Sequence, residues 1–393
     1  MINKILNSQL ALNVMAFILV SHAVIVLDAF CTIDLAVSAL RYLLFFYLAF
    51  LFIRKAFNKF DLLWMLFFVF LLLTTVVGHG ALPNVIGPGI DVMAMIMMFQ
   101  IFRKNMRGVL KAFTIALSFF IYLNLALLFI YPDGLWIDPV SGNGYFLLSG
   151  NYNGMGARFI CALTTNLLLL KDGIRAKINF FCLLAASLVS VLNVHSMTST
   201  VCILMLVTLW LMAGSKLHKK LVIAFFIFYL LIQLFVVFML SDLSSLTALV
   251  DFIENVLHKD LTFTKRTFLW ESSARLISES PLMGYGYHDK VWNDQMLGGP
   301  GAHNFIYTIL LYGGYPLLII FVSIFIVALR RCTALFDRND MSRLLLGVGT
   351  LFFMMIFEYY IFFLIAYMLT LIYYYPALTV KQQPKNDTSA LHT

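Results

Sequence analysis

The sequence predicts an all-α polytopic membrane protein with about twelve transmembrane helices and one long external loop that contains short helices. Of the 393 residues, 62% are apolar and only 12% are charged, which is about half the charge of a soluble domain. The apolar residues form runs of about 17–22, the length that crosses a hydrocarbon core of roughly 30 Å. Basic residues follow every second run, as the positive-inside rule requires of a multi-pass protein.

Twelve apolar runs account for the predicted helices. They cover residues 10–27, 35–53, 61–77, 85–101, 111–131, 151–170, 178–193, 197–213, 221–240, 303–329, 343–357 and 359–376. The joints after the second, fourth, sixth, eighth, tenth and last runs are basic, whereas Asp28, Asp34, Asp133 and Asp138 lie in other joints. This alternation places both termini in the cytoplasm and residues 241–302 on the outside.

The distribution of charge and cysteine excludes several other classes. Residues 1–381 are predicted to form a single transmembrane domain, followed by a disordered cytoplasmic tail at 382–393. The formal charge of +8 lies mostly in short joints, so it indicates orientation in a bilayer and not binding to nucleic acid. The five cysteines contain no CxxC pair, so neither a metal site nor a disulfide framework is predicted.

The loop of residues 241–302 is long enough to carry function. Its middle, residues 264–280, fits a helix that Pro281 stops, and Gly284 and Gly286 indicate a turn after it. We therefore expect at least one ordered helix on the outer surface.

The two arginines of this loop helix lie on opposite faces. Arg266 shares a face with Trp270 and has no acidic residue one turn away, so we expect it to face a ligand; the alternative is an anchor for a lipid headgroup. Arg275 lies four residues from both Glu271 and Glu279. An ion-paired arginine on a solvated face is therefore favoured for Arg275 over a contact with substrate.

The loop ends in His303 and Asn304, at the mouth of the tenth run. A histidine there can act as a general base near neutral pH, although a single interfacial histidine can also be structural. Gly314, eleven residues later, is expected on the same helical face, where it would allow a close approach. Pro316 is expected to kink the helix.

These residues together resemble the O-antigen ligase and polymerase superfamily. The resemblance rests on Arg266, Thr267, Phe268, Leu269, Trp270, Ala274, Ile277, Pro281, Leu282, Met283, Gly284, Tyr285, Gly286, His303, Asn304 and Gly314. Residues 150–156, with Asn153 as a candidate substrate contact, also resemble the family's Asn-rich start of the sixth helix. The motifs cover about 60 residues, and the topology resembles the family over the whole chain.

The resemblance implies a bacterial inner-membrane enzyme that transfers a glycan from an undecaprenyl-diphosphate carrier, with no metal and no cofactor. Arg266 would bind the diphosphate, and His303 would activate the acceptor hydroxyl. A guanidinium suits the charge that develops on a diphosphate leaving group in a water-poor site. Asn304 and Trp270 are expected to contribute to substrate binding.

The sequence departs from the family at the start of the eighth run, where many members have a second arginine and this chain has none. His195 lies in that segment and could replace it, as could Arg41 or Arg158 inside the predicted helices. Charged groups at this depth cost several kcal/mol unless they are paired or line a cavity. The alternative for both arginines is a buried ion pair with Asp91 or Glu358.

We therefore expect a polysaccharide polymerase that extends a lipid-linked chain on the outer side of the cytoplasmic membrane. The missing arginine departs more from the ligase pattern than from the polymerase pattern, but an O-antigen ligase acting on a lipid A core stays open. A flippase or another transporter is a second alternative, although such proteins often contain internal repeats and none is visible here. The expected partners are the bilayer, the lipid-linked oligosaccharide, a chain-length regulator and a flippase.

A sugar-nucleotide glycosyltransferase is excluded because the inner joints are short and basic and contain no Asp-x-Asp metal site. The chain also lacks the GxxxxGK motif of ATP-driven transport.

Overall fold

A computed structural model describes residues 8–24, 31–53, 55, 57–137, 144–148, 154–213, 218–238, 262–332, 335, 338–358 and 362–379. Twelve helices of this part of the chain coincide with the twelve apolar runs. They are α1 (Gln9–Val24), α2 (Cys31–Phe52), α3 (Lys59–Val77), α4 (Pro83–Ile101), α5 (Met106–Ile130), α6 (Met155–Leu167), α7 (Ile174–Asn193), α8 (Met197–Met212), α9 (His218–Phe238), α12 (Phe305–Cys332), α13 (Asn339–Met354) and α14 (Phe362–Thr379). The long loop carries α10 (Thr262–Glu279) and α11 (Lys290–Leu297).

Few other regular elements occur in the described residues. Two 3₁₀ turns, Arg103–Asn105 and Leu170–Asp172, precede α5 and α7. Two short strands, β1 (Trp136–Ile137) and β2 (Gly144–Tyr145), pair antiparallel in the connection after α5. The predicted all-α class is thus confirmed. The predicted C-terminal tail, the first part of the long loop at 241–261, and Asn153 lie outside the described residues.

Six helical segments of the described chain are long and apolar enough to cross a membrane, and shorter apolar helices accompany them. The six are Leu35–Phe52, Lys59–Val77, Pro83–Ile101, Arg103–Ile130, Ile174–Asn193 and Phe305–Cys332. α3 shows the physical basis, because it buries Trp64 and Phe67 while it exposes Leu62, Leu66 and Val69. A helix that is apolar on both its buried and its exposed face suits lipid and not water, which confirms a polytopic membrane protein.

α14 lies at the centre of the bundle. Every residue from 362 to 372 is buried, and the helix contacts α4, α12 and α13. A helix that is hydrophobic all round is expected in such a position. The final pair of apolar runs therefore forms the core of the bundle.

The bundle has two chemically different ends. We define the loop end as the end that carries α10, α11, His79 and His303, and the basic end as the opposite one, with Arg107, Lys171 and Arg343. α13 runs from the basic end to the loop end, and its 16 residues separate the two by roughly 24 Å.

α12 is broken near its middle, but not at the proline. Gly313 (φ −153°, ψ 20°) and Gly314 (φ 60°, ψ −163°) are non-helical, so the break precedes Pro316. His303 also lies before the first residue of α12. The prediction that His303 and Gly314 share one helical face is therefore wrong, because no continuous helix joins them.

The loop fills the break in α12 with hydrogen bonds. The backbone N–H groups of Tyr285 and Gly286 donate to the carbonyl oxygens of Leu311 and Tyr312 at 2.7 and 3.1 Å, and the N–H of Tyr315 donates to Pro281 at 2.8 Å. Backbone groups that lose their helical partners need such replacements in a membrane. Segment 281–287, which we call the docking segment, is therefore part of the bundle.

The docking segment is also fixed to the connection between α3 and α4. The Tyr287 N–H donates to Thr75 Oγ1 at 2.9 Å, and the Ala81 N–H donates to the Tyr287 carbonyl at 2.8 Å. Gly286 has φ +81°, and a Cβ there would lie 2.4 Å from Thr75 Cα. Only glycine fits this close approach, which agrees with the predicted turn.

Candidate active site at the loop end

A buried glutamate joins the two residues predicted to be catalytic. Arg266 Nη2 donates to Glu358 Oε1 at 2.5 Å, and His303 Nδ1 lies 3.1 Å from Glu358 Oε2. The Glu358 side chain is 5% exposed, whereas those of Arg266 and His303 are 20% and 26% exposed. The arginine and the histidine are therefore accessible at the surface of the protein, whereas the carboxylate behind them is not.

The fold positions Arg266 through the buried side of α10. Trp270, one turn after Arg266, is fully buried, and Ser273 and Ile277 are buried on the same side. Because this side packs on the bundle, Arg266 points inward and reaches an acidic partner from another element. Trp270 thus contributes to the packing that positions Arg266.

Arg275 lies on the other side of α10 and is exposed. The predicted ion pairs with Glu271 and Glu279 do not form within 4.0 Å in the described structure. Glu279 instead accepts a hydrogen bond from the Tyr285 hydroxyl at 3.3 Å. Water solvates the charge of an exposed arginine, and an ion pair on the surface would add little to the stability of the fold.

His303 occupies a left-handed backbone conformation with φ +47°, which is uncommon for a residue other than glycine. Asn304 holds this corner: its Oδ1 accepts from the N–H groups of Ile306 and Tyr307, and its Nδ2 donates to the Ile356 carbonyl at 3.1 Å. Asn304 is fully buried. Its described contacts therefore fix the backbone next to the histidine and cap α12.

Glu358 comes from the turn that follows α13. The N–H of Phe305 donates to the Met355 carbonyl at 3.0 Å, which ties this turn to the His303 corner. A buried carboxylate is costly unless it is paired, and Arg266 and His303 supply the pairing. The sequence signal was an acidic residue between two apolar runs, and Glu358 was considered only as an alternative partner of Arg41 or Arg158.

The two arginines inside the bundle have other partners. Arg41 Nη1 lies 3.7 Å from Asp91 Oδ2, and both side chains are buried, so Arg41 forms the ion pair that was the alternative to substrate binding. Arg158, in α6, is 4% exposed and donates from Nη1 to the Gly154 carbonyl at 2.8 Å.

His195 lies between α7 and α8, at the loop end. It is exposed and has a left-handed φ of +54°. The following Ser196 and Ser199 are buried and hydrogen-bonded to each other at 2.7 Å, so the connection that carries His195 is anchored.

An apolar cavity of about 720 Å³ lies between α9, α10, α12 and α13. Its walls include Tyr229, Ala274, Ile277, Tyr307 and Phe321. Gln233 also lines it, and hydrogen-bonds the Asn304 side chain at 3.3 Å. The cavity therefore adjoins the corner that carries His303.

The contact with Glu358 sets the chemistry that His303 can perform. A carboxylate accepts hydrogen bonds, so a neutral ring in this pair has its proton on Nδ1 and its lone pair on Nε2. Such an imidazole can accept a proton, and the carboxylate stabilises the imidazolium that results. Arg266 adds a cation that binds phosphate through several N–H donors.

The fold and the site thus define a multi-pass membrane protein with an arginine and a histidine joined by one carboxylate at the end of its helices. Residues 180–322 match a family model described as O-antigen ligase. The exopolysaccharide production protein ExoQ of Rhizobium meliloti (strain 1021) is 30% identical over 125 residues. That alignment covers 28% of this chain and 28% of the relative.

These matches confirm the resemblance to the O-antigen ligase and polymerase superfamily. The matched region contains Arg266 and His303, whereas Glu358 lies beyond it. No solved structure gives a significant match to the chain.

Proposed function

We propose that this protein is a bacterial membrane glycosyltransferase that moves a glycan from an undecaprenyl-diphosphate donor to an acceptor hydroxyl. The observation that carries the proposal is the shared carboxylate, because it brings a phosphate-binding cation and a base together at one membrane face. The proposed location is the outer side of the cytoplasmic membrane, with both termini inside.

Arg266 has the role of binding the donor diphosphate. Its hydrogen bond to Glu358 uses Nη2, so Nη1 and Nε can donate to phosphate oxygens. Negative charge grows on the diphosphate as its bond to the sugar breaks. A fixed guanidinium stabilises that charge more strongly in the transition state than in the bound donor.

His303 has the role of general base. Its Nε2 takes the proton of the acceptor hydroxyl while the hydroxyl oxygen attacks the anomeric carbon of the donor sugar. The bond from that carbon to the diphosphate oxygen breaks, and its electron pair leaves with the diphosphate. Glu358 holds the protonated ring until the proton is released.

The apolar cavity suits the polyprenyl part of the donor. Ala274 and Ile277 line it, and they lie on the same helix as Arg266. Eight residues separate Arg266 from Ala274, which corresponds to about 12 Å along α10. A lipid whose diphosphate binds at Arg266 would thus have an apolar surface for its chain within reach.

Polymerisation is proposed over ligation to a lipid A core. The matched relative is named for exopolysaccharide production, and a polysaccharide forms when sugar units are joined repeatedly into a chain. The absence of the family's second arginine at the start of the eighth helix supports the same choice.

The deciding experiment is turnover of a purified lipid-linked oligosaccharide by the protein in nanodiscs. His303→Gln should lower turnover by roughly 10²–10⁴-fold, the usual contribution of general acid–base catalysis, with donor affinity little changed. Arg266→Lys should weaken donor binding, because lysine cannot form a two-pronged bond to phosphate. Arg275→Lys, on the exposed side of the same helix, is the matched control and should stay active. Near-normal turnover in His303→Gln would reject the base role and direct attention to His195.

A further inference from the structure

The basic end of the bundle contains two adjoining cavities that the proposed reaction does not use. The first measures about 380 Å³ and the second about 110 Å³. Lys171 and Asp340 line both, so the two cavities adjoin, and we call them together the basic double cavity. It lies where the turn between α6 and α7 meets the start of α13.

Basic side chains outnumber acidic ones in both cavities. Three basic residues and one acidic residue line each: the first has Lys171, Lys177, Arg343 and Asp340, and the second has Arg107, Lys171, Arg338 and Asp340. The chain neutralises only part of this charge. Lys171 pairs with Asp340 at 2.7 Å, and Arg107 donates from Nε to Asp172 at 3.0 Å. Within the described residues, Lys177, Arg338 and Arg343 have no acidic partner within 4.0 Å.

Arg343 carries a buried donor that no described residue satisfies. Its Nε is buried and makes no hydrogen bond, although buried donors are nearly always satisfied. The backbone of Arg343 is fixed, because its carbonyl accepts from Trp210 Nε1 at 3.0 Å. Arg343 therefore lines the cavity from a fixed backbone position, and its guanidinium carries an unsatisfied N–H group.

Apolar side chains continue the same walls. Leu167, Leu168 and Ile174 line the first cavity beside the cations, and Ile174 is 69% exposed. Gly173, which also lines it, begins α7 without a side-chain cap, so the positive end of a helix dipole adds to the field. A ligand with a phosphate next to a hydrocarbon chain matches this combination.

We propose that the basic double cavity binds the headgroup of an anionic phospholipid from the leaflet at the basic end. Basic pockets between transmembrane helices bind such headgroups in the same way. The phosphate contacts Arg343 and Lys177, and the acyl chains lie along Leu168 and Ile174. The cavity's second part, with Arg338 and Arg107, accepts a second phosphate, so a diphosphatidyl lipid is bound more tightly than a monophosphate lipid.

The test is lipid binding to the full-length protein, measured by native mass spectrometry after titration with phosphatidylcholine, phosphatidylglycerol or cardiolipin. The variant Lys177→Gln/Arg343→Gln should bind both anionic lipids about 10–30-fold more weakly, since each basic group near a membrane contributes about 1 kcal/mol. Phosphatidylcholine should show no difference between the proteins. Lys177→Gln/Arg338→Gln, which removes one cation from each cavity and keeps the Arg343 contacts, should also bind both anionic lipids about 10–30-fold more weakly.

The matched control is Lys55→Gln/Lys104→Gln, which removes two exposed charges from the basic end outside the cavities. It should retain anionic lipid. An equal loss in this control would overturn the proposal in favour of general surface attraction. Inorganic phosphate provides the other arm: saturable phosphate binding with no retained lipid would show a site for free phosphate, and would also overturn it.

Discussion

Glu358 is the residue on which the candidate active site depends. Its two oxygens bind two different side chains, Arg266 and His303, so one charge orients both the proposed cation and the proposed base. Outer groups of this kind determine the tautomer and the direction of a catalytic ring. Loss of the charge should therefore affect both roles at once.

Glu358→Gln should lower turnover by about 10²–10⁴-fold, because it keeps the size of the side chain but removes the charge that holds the histidine tautomer. Steady-state kinetics with purified lipid-linked donor would measure the effect. Asp91→Asn is the matched control, since it removes a buried acid that pairs with Arg41. It should destabilise the fold, but turnover per folded molecule should persist. Equal losses of turnover in both variants would contradict a specific role for Glu358.

The sequence identified Arg266 and His303 but could not identify their common partner. Both lie in motifs whose residues are close in sequence, and the helical period alone placed Arg266 with Trp270. Glu358 is 92 residues from Arg266 and 55 from His303. A search for acidic partners one turn away cannot detect a contact that tertiary folding creates.

At the scale of elements, the docking segment and the break in α12 form one unit. Pro316 predicted a kink in this helix, whereas the structure places the break at Gly313 and Gly314. The difference arises because the loop inserts its own backbone there, and no local pattern encodes that insertion. The loop helix itself was predictable, and it runs from Thr262 to Glu279.

Gly314→Ala should weaken this unit. Gly314 has φ +60°, and a Cβ there would lie 2.3 Å from the Pro281 carbonyl oxygen. The strain and the overlap should destabilise the docking by about 1–3 kcal/mol. Hydrogen exchange at Tyr285 and Gly286 should rise accordingly. Gly301→Ala is the control, because no atom lies within 4 Å of its added Cβ, and unchanged exchange in Gly314→Ala would show that the break tolerates a side chain.

The connection between the docking segment and α11 should respond to acid. The His288 ring stacks on Trp292 at 4.2 Å, and burial lowers the pKa of His288 below its usual value of 6.5, although the Tyr285 carbonyl and Asp289 oppose the shift. Because the folded pKa lies below the unfolded pKa, the connection is most stable above about pH 6.5 and loses stability as the pH falls.

Hydrogen exchange across residues 285–292, corrected for intrinsic rates at pH 7.5 and 5, would measure this loss. His288→Gln should abolish its pH dependence, whereas wild-type protection that is equal at both values would contradict the assignment.

For the whole molecule, the concentration of basic residues at one end of the bundle predicts its orientation in the membrane. Reporter fusions at residues 107, 174 and 218 should read cytoplasmic, and fusions at 80 and 270 should read external, as the alternation of basic joints requires. The helix order agrees with this orientation, because His79, His195 and His303 all lie in connections at the loop end. A cytoplasmic signal at residue 270 would separate the candidate site from the side where the lipid-linked donor is proposed to bind.

The overall architecture was largely predictable from sequence, because the bilayer imposes one length and one polarity on every spanning helix. The packing order was not. The sequence predicts α14 only as the last of twelve apolar runs, whereas its central position depends on its contacts with α4, α12 and α13.

The hydrogen bonds that close the break in α12 also constrain protein engineering. A chimera that took its external loop from a relative and kept α12 of this chain would combine backbone donors at 285 and 286 with acceptors at 311 and 312 that had not folded together. Each orphaned group inside a bilayer costs several kcal/mol. Such exchanges should therefore include both hydrogen-bonded segments, the docking segment and the break in α12. The shortest transplantable unit then extends through residue 315.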